Sequence, residues 1–539
     1  MRSRPTLLRY ALVSIPWLVA CGPSPGGEAS AAPSAVYHVE EKTVAGLQQD
    51  MSAGRLSSEQ LVNAYLQRIR DLDRNGPALH AIISTNPNAV GDARRLDQER
   101  AAGRVRSPLH GIPVLLKDNI ESSEPLATTA GSLALADNIT GRDAPIVARL
   151  REAGAVIIGK ANLSEWANFR SLHSTSGWSG IGGLAKNPYA LDRNACGSSS
   201  GSAVAVAANL IAIAVGTETD GSITMPAAMN GLVGLKPTVG LLSRTHIVPI
   251  SAAQDTAGPM TRTVADAAAM LTIMAGSDVE DPATREADTR KRDYTAALSA
   301  QALQGKRLGV MKFLMGYLPS LDAAFQQAVT QLEAAGATIV EIPKFDGLDQ
   351  LTKDEFSIMT ADFRTALNAY LATTPATVRV RALKDLIAFN TANAAREMPF
   401  FGQELLDEAE KTATADASEV GRTRARIRKS AGPDGIDRLL KEHKVDALIA
   451  PATHPAYPSD LVNGDHILGG APQLPAIAGY PHLTVPMGHI QGLPVGLSFI
   501  GAAWSDADLL AMGYAFEQRT AARRPPTFPA SVNASDPVR

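Results

Sequence analysis

Three stretches of this chain hold side chains that glycine-rich turns could present for chemistry. "GIPVLLKDNI" ends an apolar run at Lys117, with Asp118 next. "CGSSSGSAVAVAA" lines up Ser198, Ser199 and Ser200 where a helical pattern begins. "GTETDGSITMPAAMNGLVGLKPT" sets Ser222 in an Asp-Gly turn between apolar walls. A serine hydroxyl is a poor nucleophile until a base takes its proton, so the question is which serine and which base. "GSSSG", Gly197 to Gly201, has the form of a nucleophile elbow with Ser199 at its centre. An elbow needs a strand entering and a helix leaving. The preceding "KNPYALDRNAC" is polar, carries Pro188 and reads as loop, and no histidine is placed by spacing to complete a Ser-His-Asp set.

Other chemistries find less support. The ten histidines form no H-E-x-x-H and there is no cysteine pair, so no metal site is expected. No G-x-x-x-x-G-K-[ST] occurs and no G-x-G-x-x-G closes a strand, so the glycines serve tight turns and close packing rather than phosphates. Cys196 has no nearby histidine in sequence and reads as a small buried packing residue. A formal net charge of −3 argues against a nucleic-acid partner.

The elements that must position these residues show in the apolar pattern. "PIVARLREAGAVIIGKAN" reads as helix, Gly154, strand, and "SAVAVAANLIAIAVGTE" as a buried helix running into a buried strand. "KRLGVMKF", "LDAAFQQAVTQLEAAGA" and "TIVEI" give strand, helix, strand, and "VDALIAPA" a further strand. Apolar strands alternating with helices predict an α/β fold with a mixed, largely parallel central sheet covered by helices on both faces. Ser57 and Gln60 have capping-box spacing at the start of "SSEQLVNAYLQRIRDLD". One domain is expected over 36–523, with a helical insertion over about 350–440 laid across the sheet. The Pro-rich, polar stretch 524–539 is expected to be a disordered tail.

The first twenty residues read as an export signal, with Arg2, Arg4 and Arg9 before an apolar run too short to stay in a bilayer. "LVAC" resembles a bacterial lipobox, which would make Cys21 a lipidated mature N-terminus and 21–35 a flexible tether. The protein is then expected to be a periplasmic or outer-membrane lipoprotein, or a soluble secreted one if cut after Ala20. Its membrane contact would be the lipid anchor alone, and a monomer is expected.

Lys117, the serine-rich segment and the Ser222 turn, in this order, resemble the amidase signature family. "LPAIAGYPHLTVPMG" and "GLPVGLSFIG" extend the resemblance over most of the chain. "GSSSGSAVAVAANL" and "GTETDGSIT" are most like those of bacterial peptide amidases. The resemblance implies a serine amide hydrolase, acting on C-terminal peptide amides without a cofactor. Broad amidases on aryl or acyl amides share the core, as does the tRNA-linked amidotransferase subunit, which the export signal argues against. A membrane-tethered binding protein on the same fold is the non-catalytic alternative. The resemblance further implies that Ser222 is the nucleophile, Ser198 the bridging serine after a cis peptide bond, and Lys117 the base. The backbone N–H groups of Thr219, Asp220, Gly221 and Ser222 would form the oxyanion hole. Ser199 and Thr217 would support the loops, and Asp118 would fix the Lys117 segment. A lysine can serve as base only if burial lowers its pKa. Three positions depart from the commonest family pattern: Glu218 for Asp, Asp220 for Gly, and Thr224 for Arg. An acid at 220, beside the oxyanion turn, is expected to point away or to read a positive or N–H-rich part of the substrate.

Overall fold

The computed structural model describes residues 11–16 and 37–532. Cys21, the expected tether and residues 533–539 lie outside the described residues. From Tyr37 onward the chain forms one unit. Among the described residues no helix is long and apolar enough to cross a membrane.

The strands, in chain order, are β1 (Ile82–Thr85), β2 (Pro113–Lys117), β3 (Val156–Ala161), β4 (Trp178–Ser179), β5 (Gly183–Leu184), β6 (Ile213–Glu218), β7 (Val233–Lys236), β8 (Thr256–Thr261), β9 (Arg307–Met311), β10 (Thr338–Ile342), β11 (Ala447–Pro451), β12 (His482–Ile490) and β13 (Leu493–Ile500). Eleven form one mixed sheet, ordered β1-β3-β2-β6-β8-β7-β12-β13-β11-β9-β10, and β4 and β5 form a small hairpin. Parallel pairs join β3–β2–β6 and β11–β9–β10. The stretch between these groups pairs antiparallel, in part because Gln491 and Gly492 close β12 directly onto β13. Hairpin connections of that length impose antiparallel pairing, whereas the parallel groups are joined by helical crossovers.

Every residue of β2, β3, β6, β7, β8, β11 and β13 is buried. Successive strand side chains point to opposite faces, so full burial means that both faces are covered. The helix Ser200–Ala207 lies against β2, β3, β6 and β8, while Pro319–Ala334 and Asp506–Thr520 lie against β12 and β13. The predicted capping box closes at Ser57 and Gln60.

The segment from Leu348 to His443 is helical throughout its regular parts. Phe363, Leu367 and Leu371 of its long first helix, Leu348–Ala372, share a core with Trp166, Phe169, Val248 and Ile250 from loops beside the sheet. Residues 524–532, counted in sequence as tail, instead run along the body. Phe528 N donates to Pro188 O, Leu191 N donates to Pro529 O, and Phe528 and Val532 pack on the main core. Two apolar anchors and paired backbone groups thus fix a stretch whose prolines and polar residues suggested disorder.

Candidate active site

The ends of β2 and β6 bring the three sequence segments together. Lys117, the last residue of β2, is fully buried among the core strands. Its Nζ lies 2.7 Å from Ser198 Oγ, 2.8 Å from Thr217 Oγ1 and 3.2 Å from Thr217 O. Burial pulls its pKa down to about 7, against the opposing pull of Glu218 and Asp255. Among the described residues, its other two partners are both oxygens of Thr217. Asn119 donates its Nδ2 to the same Thr217 hydroxyl at 3.0 Å, which holds that hydroxyl in place.

The Gly197–Ser198 peptide bond is cis. A side chain at Gly197 would collide with the Ser164 hydroxyl, so glycine is required there. Ser198 is fully buried, and its carbonyl accepts the Ser164 N–H at 3.1 Å. Ser199 faces the sheet instead. Its Oγ donates to Thr217 O at 3.0 Å and accepts from Thr217 N at 3.2 Å, and its N–H donates to Ser222 O at 3.1 Å. Ser199 therefore stitches the serine-rich turn to β6 and to the Ser222 turn, and its hydroxyl is committed to that task.

Ser222 stands in the turn between β6 and the short helix Thr224–Met229. Glu218, the last residue of β6, closes this turn. Its Oε2 accepts from Ile223 N at 2.8 Å, Thr224 N at 3.0 Å and Thr224 Oγ1 at 3.2 Å. Gly221 takes φ 76°, and a side chain there would strike Met225 and Pro472. Thr219 is pinned by its hydroxyl, which donates to Asp255 Oδ1 at 2.6 Å. Among the described residues, the N–H groups of Thr219, Asp220, Gly221 and Ser222 find no acceptor. Four consecutive N–H donors left free in a turn make a site for an anionic oxygen.

Asp118 turns away from Ser198 and Lys117. Its carboxylate accepts the hydroxyl and the N–H of Thr129, and burial pushes its pKa up to about 6. Asp220 makes no hydrogen bond to the described residues. It lies beside Glu355 of the helix Leu348–Ala372 and near Glu218 and Lys236. Burial first, then Glu355 and Glu218, push its pKa well up, with Lys236 opposing. Glu355 is itself held by two amides, Gln254 Nε2 at 2.7 Å and Gln473 Nε2 at 2.9 Å. Of these two acids, Glu355 has the N–H donors that favour a carboxylate, so Asp220 is the one that keeps a proton more readily. A protonated Asp220 does not oppose negative charge in the turn.

Asn119, Asp255 and Glu355 have no counterpart in the sequence reading. Asn119 lies within "GIPVLLKDNI", but nothing in that stretch assigns it a role. Asp255 and Glu355 come from separate segments that only the fold brings close. Cys196 is buried, with its thiol pKa raised by burial, as befits packing rather than reaction.

A family model described as Amidase matches residues 60–510. The chain belongs to the amidase family. It is similar to the native peptide amidase of Stenotrophomonas maltophilia, with 53% identity and a TM-score of 0.87 over 91% of this chain and 99% of that one. An amidase family protein of Bacillus anthracis is 39% identical, with a TM-score of 0.81 over 91% of this chain and 93% of that one. A probable amidase of Arabidopsis thaliana is 41% identical, over 92% of this chain and 93% of the relative. As a member of this amidase family, the protein is an amide hydrolase.

Proposed function

We propose that the protein removes the amide from the C-terminus of peptides, giving the free acid and ammonia, through Ser222, Ser198 and Lys117. The observation that carries the catalytic part of this reading is the fully buried Lys117 amine, 2.7 Å from the hydroxyl of Ser198. A neutral amine has two N–H groups and one lone pair. Thr217 O and Thr217 Oγ1 accept the two N–H groups, and the lone pair accepts the Ser198 O–H. After protonation the third N–H turns that last bond round, so both states are satisfied by the same neighbours.

In the proposed reaction, Ser222 Oγ bonds to the carbonyl carbon while its proton passes to Ser198, whose own proton moves to Lys117. The N–H groups of Thr219 to Ser222 hold the resulting oxyanion. Collapse breaks the C–N bond as the relay returns the proton to nitrogen, releasing ammonia. Water then gives its proton to the same relay, attacks the acyl carbon and frees Ser222. The peptide substrate class rests on the similarity to the peptide amidase and not on the triad, which serves any amide. The test is ammonia release from acetyl-peptide amides, aliphatic amides and aryl amides by wild type, Ser222→Ala, Lys117→Ala and Ser199→Ala. Loss in the first two variants alone supports the mechanism. Full activity of Ser222→Ala with none in Ser199→Ala sinks it, and exclusive turnover of aryl amides sinks the peptide reading.

We also propose export as a Cys21-anchored lipoprotein, supported by the basic start, the short apolar run and "LVAC". Labelled palmitate should enter wild type but not Cys21→Ala; equal labelling of both rejects the anchor.

A further inference from the structure

Two loops leave large apolar side chains in solvent close to the catalytic turns. Leu172 is 68% exposed in one loop, and Val462, Ile467 and Leu468 are 86%, 48% and 58% exposed in the other. Single exposed apolar residues need no explanation, but a group of them marks a binding surface. The loops are tied together. Thr175 Oγ1 donates to Asp460 O at 2.6 Å, Asp465 N donates to Ser174 O at 3.1 Å, and both oxygens of the Asp465 carboxylate accept from Ser176.

The longer loop also spans the two catalytic turns. Its Asp465 anchor is Ser176, whose Cβ lies 3.3 Å from where a side chain at Gly197 would begin. At its far end, Pro472 sits where a side chain at Gly221 would strike. Val462, Ile467 and Leu468 thus lie on a segment that runs from the Ser198 turn to the Ser222 turn.

We propose that Leu172, Val462, Ile467 and Leu468 form a subsite for apolar side chains of the peptide residues that precede the amidated one. This rests on the peptide-amide reading of the site. Neither loop, 171–175 or 459–472, contains a lysine or arginine. Both aspartates of the longer loop are engaged internally, Asp465 by Ser176 and Asp460 by Val462 N, Asn463 and His466. The loops therefore offer contact area and no lysine or arginine of their own, which favours apolar over acidic peptides. The same lack of cations argues against an anionic lipid surface as its occupant.

The test compares acetyl-Leu-Leu-Ala-amide, acetyl-Asp-Asp-Ala-amide and acetyl-Ala-amide. The subsite predicts that wild type favours the first over the second by about tenfold or more in kcat/KM, the scale of one buried aliphatic side chain. Val462→Asp with Leu468→Asp, and Leu172→Asp separately, should raise KM for the Leu-Leu peptide about tenfold while leaving acetyl-Ala-amide turnover and the melting temperature unchanged. Equal effects on all three substrates, or an apolar preference that survives both variants, overturn the subsite. So does a loss of binding to phosphatidylglycerol vesicles with the peptide preference intact. Wild-type turnover of all three substrates without preference rejects the subsite alone. No turnover of any of them, with benzamide hydrolysed, rejects the peptide-amide reading and the subsite with it.

Discussion

Lys117 and Lys160 stand at the ends of neighbouring parallel strands, Lys117 opposite Ala161 and Lys160 opposite Leu116. Both are wholly buried, and burial lowers the pKa of both. Their partners differ. The Lys160 amine donates to Ile120 O and to Thr128 Oγ1, within reach of the fields of Asp118, Glu124 and Glu121, all of which favour its cation. It ties down the turn that follows β2. The Lys117 amine pairs with a hydroxyl next to a second serine turn, with only Glu218 and Asp255 favouring its charge. Burial is common to both. What separates the two lysines is whether a serine hydroxyl or a set of carboxylates shares the pocket.

Substitution of each lysine tests the contrast most strongly. Lys117→Met should lower kcat by about 10³–10⁴-fold, the range for loss of a general base, while the protein stays folded. Ser198→Ala should match it, and the double variant should lose little more, since the two act as one unit. A Lys117→Met enzyme within tenfold of wild type would end the comparison. Lys160→Met should do the opposite: unfolding free energy falls by about 3–5 kcal/mol as Asp118 loses its buried counter-charge, with turnover per folded molecule retained. Urea denaturation alongside activity separates the two effects.

The pH profile sharpens the same contrast. In the proposed mechanism neutral Lys117 is the active form, and burial brings its pKa down to about 7. Protonation below that value removes the base, so kcat/KM should fall about tenfold per pH unit on the acid side and level off above pH 8. A midpoint near 4 would point to a carboxylate base instead. Asp220→Asn gives the smallest expected effect. Because a protonated carboxyl and an amide are similar in shape and polarity, kcat/KM near pH 7 should stay within about threefold, a change of roughly 0.6 kcal/mol or less. A loss of more than thirtyfold would mean that Asp220 acts as an anion.

The geometry of the candidate site was legible because it sits in local backbone. Gly197, Ser198, Gly221 and Ser222 owe their conformations to neighbours within a few residues, and a strand-end lysine shows in the apolar run before it. The sheet was legible as apolar strands, but its antiparallel middle depends on which strands meet. The raised pKa of Asp220 was not readable. It comes from burial and from Glu355, 135 positions away by residue number, which two glutamine amides hold in place. The tail misled for a related reason: Phe528 and Val532 pack on a core assembled from distant segments, and the backbone there pairs with Pro188 and Leu191.

The double role of the Thr217 oxygens, fixed by Asn119 on one side and by Ser199 on the other, has a dynamic consequence. Moving the proton through the proposed relay only reverses the hydrogen bonds on either side of Ser198 and needs no movement of the Lys117 or Thr217 heavy atoms, so the step carries little reorganisation cost. Turnover should therefore persist in a rigid lattice: crystals soaked with a small amide should release ammonia wherever the mouth stays open to diffusion.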